Sequence, residues 1–274
     1  LQAMAGFPER AKVVIVGVGG IVGASLAHHL IERGWDDIVG IDKSGIPTDI
    51  GSTAHASDFC YTTSHDFLSC WTTLYSIDFY DRLGHYDRVG GLEVARVGDD
   101  ARMDEIRRKV ASAKAFGTRA RLIDPAGIKQ KFPLIEEAMV QGGLWDPDAG
   151  LVVPRSQTVA GKLVDMAEAS GRLRAFANTA ATSLVIEDGR IRGVVTPRGT
   201  IMADLVIVCA GLNIETYGPR TVLAWLREEY NRGVAVGGLC TGAYVLAQAG
   251  LLANRRCAIH WENLPGFAER FPKA

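Results

Sequence analysis

The stretch VVIVGVGGIVG, Val13 to Gly23, constrains this chain more than any other: an apolar β-run breaks into glycines and re-emerges as a helix. Gly17, Gly19, Gly20 and Gly23 fall between strand and helix. Glycine is needed there because the backbone must turn tightly and approach a pyrophosphate with no Cβ in the way. The helix N-terminus then offers N–H groups and a positive dipole end to the anion. The spacing departs from GxGxxG. Counted from Gly17 the pattern ends on Val22, and counted back from Gly23 and Gly20 it begins on Val18, so the loop carries one extra residue or a shifted register. A tight βα turn with no ligand explains the glycines equally well. Asp42 adds weight to the dinucleotide reading, because it ends the next apolar run, IVGID, about 20 residues on, where a carboxylate accepts hydrogen bonds from a ribose. Its plain alternative is an ordinary strand-end acid. Lys43 follows it and is grouped with it as a candidate cofactor contact.

The surrounding pattern alternates strands and helices. A helix is predicted from about Ile21 to Arg33, and a longer one over Asp66 to Leu83, with Leu68, Trp71, Tyr75 and Phe79 at helical spacing and read as core. Leu184 to Ile186 and Ile191 to Val195 flank the turn EDGR and predict a β-hairpin, and ADLVIVCAG predicts a buried strand. The expected class is α/β: a Rossmann-type domain with a partial, strand-rich insert between Arg88 and Pro154.

Bulk properties narrow the function. At 274 residues the chain is long enough for one large domain or two modest ones. A formal net charge of -1, with scattered Lys and Arg, gives no ground for a nucleic-acid or anionic-membrane partner. No apolar run approaches the roughly 20 residues of a membrane span. LQAMAGFPER lacks the basic start and apolar core of a secretory signal. The five cysteines include no CxxC pair, so a reduced cytoplasmic protein is expected, with neither zinc nor a disulfide framework.

Beyond Asp42 the segment GSTAHAS, Gly51 to Ser57, is too polar for core. Together with VVIVGVGGIVGASLAHHLIERGW, VGGLEVAR (Val89 to Arg96), GGLWDPDAGLVVP (Gly142 to Pro154) and ADLVIVCAG (Ala203 to Gly211), it makes residues 11–211 resemble the front part of FAD-dependent amine oxidoreductases of the D-amino-acid-oxidase superfamily, in particular the dimethylglycine and sarcosine dehydrogenases and oxidases. The resemblance implies FAD, a small-molecule amine substrate, and hydride transfer from an N-methyl carbon to the flavin, leaving an iminium that hydrolyses to formaldehyde or passes its carbon to folate. It makes His55 the covalent flavin attachment point, and an imidazole nitrogen is a competent nucleophile for that step. It puts Ser52 and Thr53 near the flavin or its phosphates, the backbone of Ala181 on adenine, and Gly211 at the cofactor end of the last strand. The family's substrate-binding and catalytic residues fall mostly beyond Gly211, so family membership is expected while turnover is left open.

From Leu212 the resemblance changes. Residues 212–272 resemble the middle of the class I glutamine-amidotransferase-like (ThiJ/PfpI-like) domain of AraC-type transcription regulators. A helix over Pro219 to Asn231, with Val222, Leu223, Leu226 and Tyr230 on one face, leads to the strand VAVGGL and to Cys240 at a strand-to-helix elbow. A helix dipole there lowers a thiol pKa, and His260 is a candidate partner. Thr241 stands where protease-like relatives carry histidine, and the regulator branch uses the fold for sensing, so Cys240 reads as a structural elbow, with a catalytic thiol as the alternative. The expected organisation is therefore a DAO-like part over 1–211 joined to a truncated ThiJ/PfpI-like segment over 212–274. The competing functions are a non-enzymatic sensor or regulator fragment and an inert fusion of two partial folds.

Overall fold

The computed structural model describes residues 6–64, 66–187, 190–209, 220–232, 242–255, 257, 259 and 264–274. It divides into two compact units, Leu1–His55 with Ala160–Ala274, and Ala56–Val159.

The first unit opens with β1 (Arg10–Val16), α1 (Ile21–Glu32) and β2 (Ile38–Ile41), followed by a single 3-10 turn at Ser52–His55. This places the first strand, helix and second strand where the sequence pattern puts them. Val13, Val14 and Ile15 are fully buried, and each such side chain contributes about 1.5–3 kcal/mol on leaving water. The second unit holds β3 (Phe59–Cys60), α2 (Phe67–Arg82), β4 (Tyr86–Asp87), β5 (Gly91–Arg96), α3 (Asp100–Ala115), β6 (Arg121–Ile123), α4 (Pro125–Lys131), β7 (Val140–Asp146) and β8 (Gly150–Val152). Its strands form two three-stranded sheets, β3-β8-β4 and β5-β7-β6. Ala95, Met103, Ile106, Ala113 and Leu144 make a core between α3 and the second of these.

The chain passes along α5 (Ser156–Ala169) back to the first unit, adding β9 (Leu173–Phe176), β10 (Ser183–Glu187), β11 (Arg190–Thr196) and β12 (Gly199–Val208). The resulting sheet has the order β10-β11-β12-β1-β2-β9. β1 runs parallel to β12 and β2, and β2 parallel to β9, while β10, β11 and β12 are antiparallel. The hairpin around EDGR is therefore as predicted. Three tail helices follow: α6 (Arg220–Asn231), α7 (Gly242–Gln248) and α8 (Leu264–Arg270). Val222, Leu223 and Leu226 of α6 pack with Leu246 and Ala249, and the Arg227 guanidinium donates to the carbonyls of Gln248 and Ala249 at the end of α7. This is the favourable end of a helix for a cation. Tyr230, expected on the packed face of α6, is exposed.

Three expectations are corrected. The insert begins at Ala56 rather than Arg88, because Phe59 pairs with Leu151 in the antiparallel β3–β8 ladder and so carries β3 and α2 into that unit. Leu68, Trp71 and Tyr75 are not core: they are 67%, 52% and 43% exposed. Helical spacing identifies a shared face but not its direction. Here Cys70, Ile77 and Phe79 turn inward instead, and the Cys70 thiol donates to the Thr62 carbonyl at 3.2 Å. Finally, β12 carries exposed Leu205 and Val208; a buried strand needs cover on both faces, and these two side chains lack it.

Candidate functional site

The site is built where β1 hands over to α1. Gly17 has φ +92°, a conformation that L side chains rarely adopt, and its N–H and that of Val18 both donate to the Ile41 carbonyl, at 2.8 and 3.2 Å. Val18 turns its side chain into the sheet over Gly40, where a Cβ would meet the valine at 2.7 Å. That inward valine absorbs the extra residue which breaks the GxGxxG count. Gly20, with φ -89° and ψ 163°, is the N-cap of α1. No side chain caps the helix and its first turn holds no acidic residue, so its amide dipoles are available to an anion. Gly23 is packed so closely that a Cβ would lie 2.2 Å from the Gly17 carbonyl oxygen.

Asp42 directly follows β2 and is buried. Its Oδ2 accepts the Gly19 N–H at 3.0 Å, and its Oδ1 accepts the Ser44 N–H at 3.0 Å and the Ser44 hydroxyl at 3.2 Å. An ionised carboxylate offers about four acceptor positions, so one on Oδ2 is left for a ligand hydroxyl. Ser44 Oγ also meets Thr48 Oγ1 at 2.7 Å, and the Thr48 N–H donates to the Gly19 carbonyl at 2.9 Å. Neither Ser44 nor Thr48 was singled out in the sequence, although a hydroxyl two residues after a strand-end Asp is the signal of an Asx-type turn.

The other predicted residues divide. Thr53 is buried, and its Oγ1 accepts the Ile21 N–H at 2.9 Å; its own O–H is left to donate to a phosphate oxygen. Ser52 and His55 lie on the same 3-10 turn and are exposed. His55 Nδ1 lies 3.0 Å from the Gly51 carbonyl. A carbonyl only accepts, so the proton sits on Nδ1 and the Nε2 lone pair is free for attack. Lys43 is exposed. Ala181 is exposed, two residues past Thr179, whose N–H donates to the Asp42 carbonyl at 2.6 Å. Gly211, Cys240 and His260 lie outside the described residues.

One residue beside the turn was not anticipated. Cys209 bonds through its N–H to the Val16 carbonyl at 3.0 Å, and its Cβ stands 3.4 Å from where a Gly17 Cβ would be. Burial, with the Asp42 charge adding to it, pushes this thiol up to about 11. On the order of one part in a thousand is thiolate at pH 8, and only the thiolate is nucleophilic. Iodoacetamide at that pH is therefore expected to label exposed Cys257 and to spare Cys209, read by peptide mass; rapid labelling of Cys209 would contradict the geometry.

These residues fit a dinucleotide: an uncapped helix start for its diphosphate and a fixed carboxylate for its ribose. The comparisons agree. The model of the FAD dependent oxidoreductase family, DAO, matches residues 12–227, running past Gly211 into α6. Human dimethylglycine dehydrogenase is 32% identical over 219 residues, 77% of this chain and 24% of that protein. The pyruvate dehydrogenase phosphatase regulatory subunit of Mus musculus is 28% identical over 211 residues, 74% of this chain and 23% of that protein. The chain thus spans about a quarter of the length of these curated relatives. L-proline dehydrogenase from P. horikoshii superposes with a TM-score of 0.67 at 27% identity, over 74% of this chain and 54% of that one. A separate segment is 40% identical over 70 residues, 26% of this chain, to 19% of the HTH-type transcriptional regulator GbdR of Pseudomonas aeruginosa. This accords with the regulator-like tail read from the sequence. On the match to residues 12–227, the chain belongs to the DAO family of FAD dependent oxidoreductases.

Proposed function

We propose that this chain is an FAD-binding oxidoreductase module acting on N-methylated amino acids of the dimethylglycine and sarcosine class. The observation that carries the reading is the joint placement of the uncapped α1 start and the Asp42 carboxylate, tied together by the Gly19 N–H. FAD, when bound, supplies the two-electron oxidation of the substrate's N-methyl carbon. The chain's own part is to bind and orient. The first turn of α1 and the Thr53 hydroxyl hold the diphosphate, Asp42 accepts from the ribose, and Ser52 and the backbone at Ala181 contact the flavin and adenine ends. His55 is the covalent attachment residue, supported by the hydrogen bond to Gly51 that leaves Nε2 unprotonated.

The test is a visible absorption spectrum before and after acid precipitation. Flavin absorbance is expected to stay with the precipitate of the native chain and to pass into the supernatant for His55→Ala. Protein that stays colourless after incubation with FAD would overturn the cofactor reading, and full release from the native chain would overturn the covalent link alone. Anaerobic bleaching by dimethylglycine but not by proline is the expected mark of the substrate class.

A second reading, a regulatory module without turnover, is favoured by the similarity to a phosphatase regulatory subunit and by the regulator-like segment. Retained flavin that no N-methyl amine bleaches would favour it. In either case the tail is proposed as a partial ThiJ/PfpI-like segment, with Cys240 a structural elbow. No nucleic-acid or membrane partner is proposed. Among the described residues no helix is long and apolar enough to cross a membrane, and the free thiols of Cys60, Cys70, Cys209 and Cys257 suit a reducing cytoplasm.

A further inference from the structure

The residues that orient Asp42 belong to a closed ring of hydrogen bonds that the GxGxxG-and-acid pattern does not contain. Around the ring, the Gly19 N–H donates to Asp42 Oδ2 at 3.0 Å and the Ser44 hydroxyl donates to Asp42 Oδ1 at 3.2 Å. Ser44 Oγ lies 2.7 Å from Thr48 Oγ1, and the Thr48 N–H donates to the Gly19 carbonyl at 2.9 Å. The single Ser44 proton points at the carboxylate, so the short Ser44–Thr48 bond is made by the Thr48 proton. The two hydroxyls therefore act in series: Thr48 polarises Ser44, which donates to Asp42, and such chains strengthen one another where water is excluded. Thr48 and Asp42 are both buried. The carboxylate plane is thereby fixed, with Oδ1 spent on Ser44 and the spare Oδ2 position turned to the same side as the Gly19 amide.

We infer that Ser44 and Thr48 are positioning residues for ribose recognition: they set the carboxylate's orientation, without touching the ligand, so that Asp42 can accept a ribose hydroxyl. The inference rests on the dinucleotide reading proposed above. It differs from an ordinary structural role in one measurable respect. Loss of the relay selectively weakens the contact to the ribose hydroxyl, whereas general loosening weakens every adenine nucleotide alike.

The experiment is calorimetric titration of the full chain, freed of flavin, with ADP and with 2′-deoxy-ADP. A hydrogen bond to a charged acceptor corresponds to a preference of about tenfold for ADP in the native chain. That ratio is expected to fall to about twofold or less in Ser44→Ala and in Thr48→Val, and to be kept in Ser44→Thr, whose hydroxyl can rebuild the relay. Thr48→Val keeps the branched shape and decides the matter alone if Ser44→Ala does not fold. An unchanged ratio in folded Ser44→Ala or Thr48→Val overturns this inference and leaves the dinucleotide reading standing. A native chain that binds neither nucleotide, or binds both equally, overturns the assignment of Asp42 to ribose and this inference with it.

Discussion

Alanine at position 23 is expected to abolish dinucleotide binding and to lower stability by about 3 kcal/mol, the upper part of the range for overpacking. The added carbon would stand 2.2 Å from the Gly17 carbonyl oxygen and 2.8 Å from both the Gly17 carbonyl carbon and the Val18 Cα. All three are backbone atoms, so no rotamer change relieves the contact. Nor can the turn retreat, since the Gly17 and Val18 N–H groups are both held by the Ile41 carbonyl and the Val18 side chain is wedged over Gly40. Relief has to come from lifting α1 off the turn, which moves the helix start away from Gly19 and Asp42. Binding is therefore lost by more than the stability change alone requires. Gly34→Ala is the control. Gly34 also has positive φ, +87°, but nothing lies within 4 Å of its added Cβ, so about 1 kcal/mol of backbone strain is expected with binding intact. Thermal unfolding with parallel FAD titration checks both. A Gly23→Ala chain that melts with the native one and still binds FAD would show that the helix is not seated on the turn as described.

What the sequence made legible follows the range of the interactions involved. The turn at Gly17, the start of α1 at Ile21 and the Asp42 strand end are local events, written within a few residues by glycine geometry and apolar runs. The extra residue in the glycine loop was visible as a miscount, yet its resolution depends on Val18 finding space over Gly40 in the neighbouring strand. Ser44 and Thr48 escaped notice because neither forms a motif. Their hydroxyls acquire a role only once the loop after β2 folds back and the Thr48 N–H reaches Gly19. The aromatic stripe of α2 was read correctly as a single face, Trp71 and Tyr75 stacking at 5.8 Å and Tyr75 and Phe79 at 6.3 Å, but its direction depended on which side met the rest of the unit. Likewise the start of the second unit is set by the pairing of Phe59 with Leu151, a contact between distant residues that no local pattern announces. His55 was identified through family resemblance, and the atom to test, Nε2, came from the hydrogen bond of its other nitrogen to Gly51.

The second large effect is expected in the other unit, at a carboxylate unconnected with the dinucleotide. Asp146, in the segment GGLWDPDAG, closes β7 and is fully buried. Its Oδ2 accepts the Thr62 N–H at 2.8 Å and the Thr62 hydroxyl at 2.6 Å, and its Oδ1 accepts the Asp148 N–H at 3.1 Å. Three donors to one buried charge replace the water it has lost, and they pin the segment before β7's turn to the chain after β3. Asp146→Ala leaves two backbone N–H groups and a hydroxyl without their acceptor in a dry site. Removing one side of such an arrangement costs about 3–5 kcal/mol, enough to melt this unit at temperatures where the native chain is folded. Asp146→Asn keeps the shape and one acceptor oxygen but places an amide N–H₂ against donors, so an intermediate loss of about 2 kcal/mol is expected. Thr62→Val removes one of the three donors, keeps the backbone N–H, and should cost least, about 1–2 kcal/mol. The order Ala, then Asn, then Val is the diagnostic, measured as denaturant midpoints at constant m-value. If Asp146→Ala unfolds at the native midpoint, the carboxylate does not hold β7 to the Thr62 segment, and the account of what fixes this unit's two sheets has to be rebuilt from the β5–β7 ladder alone.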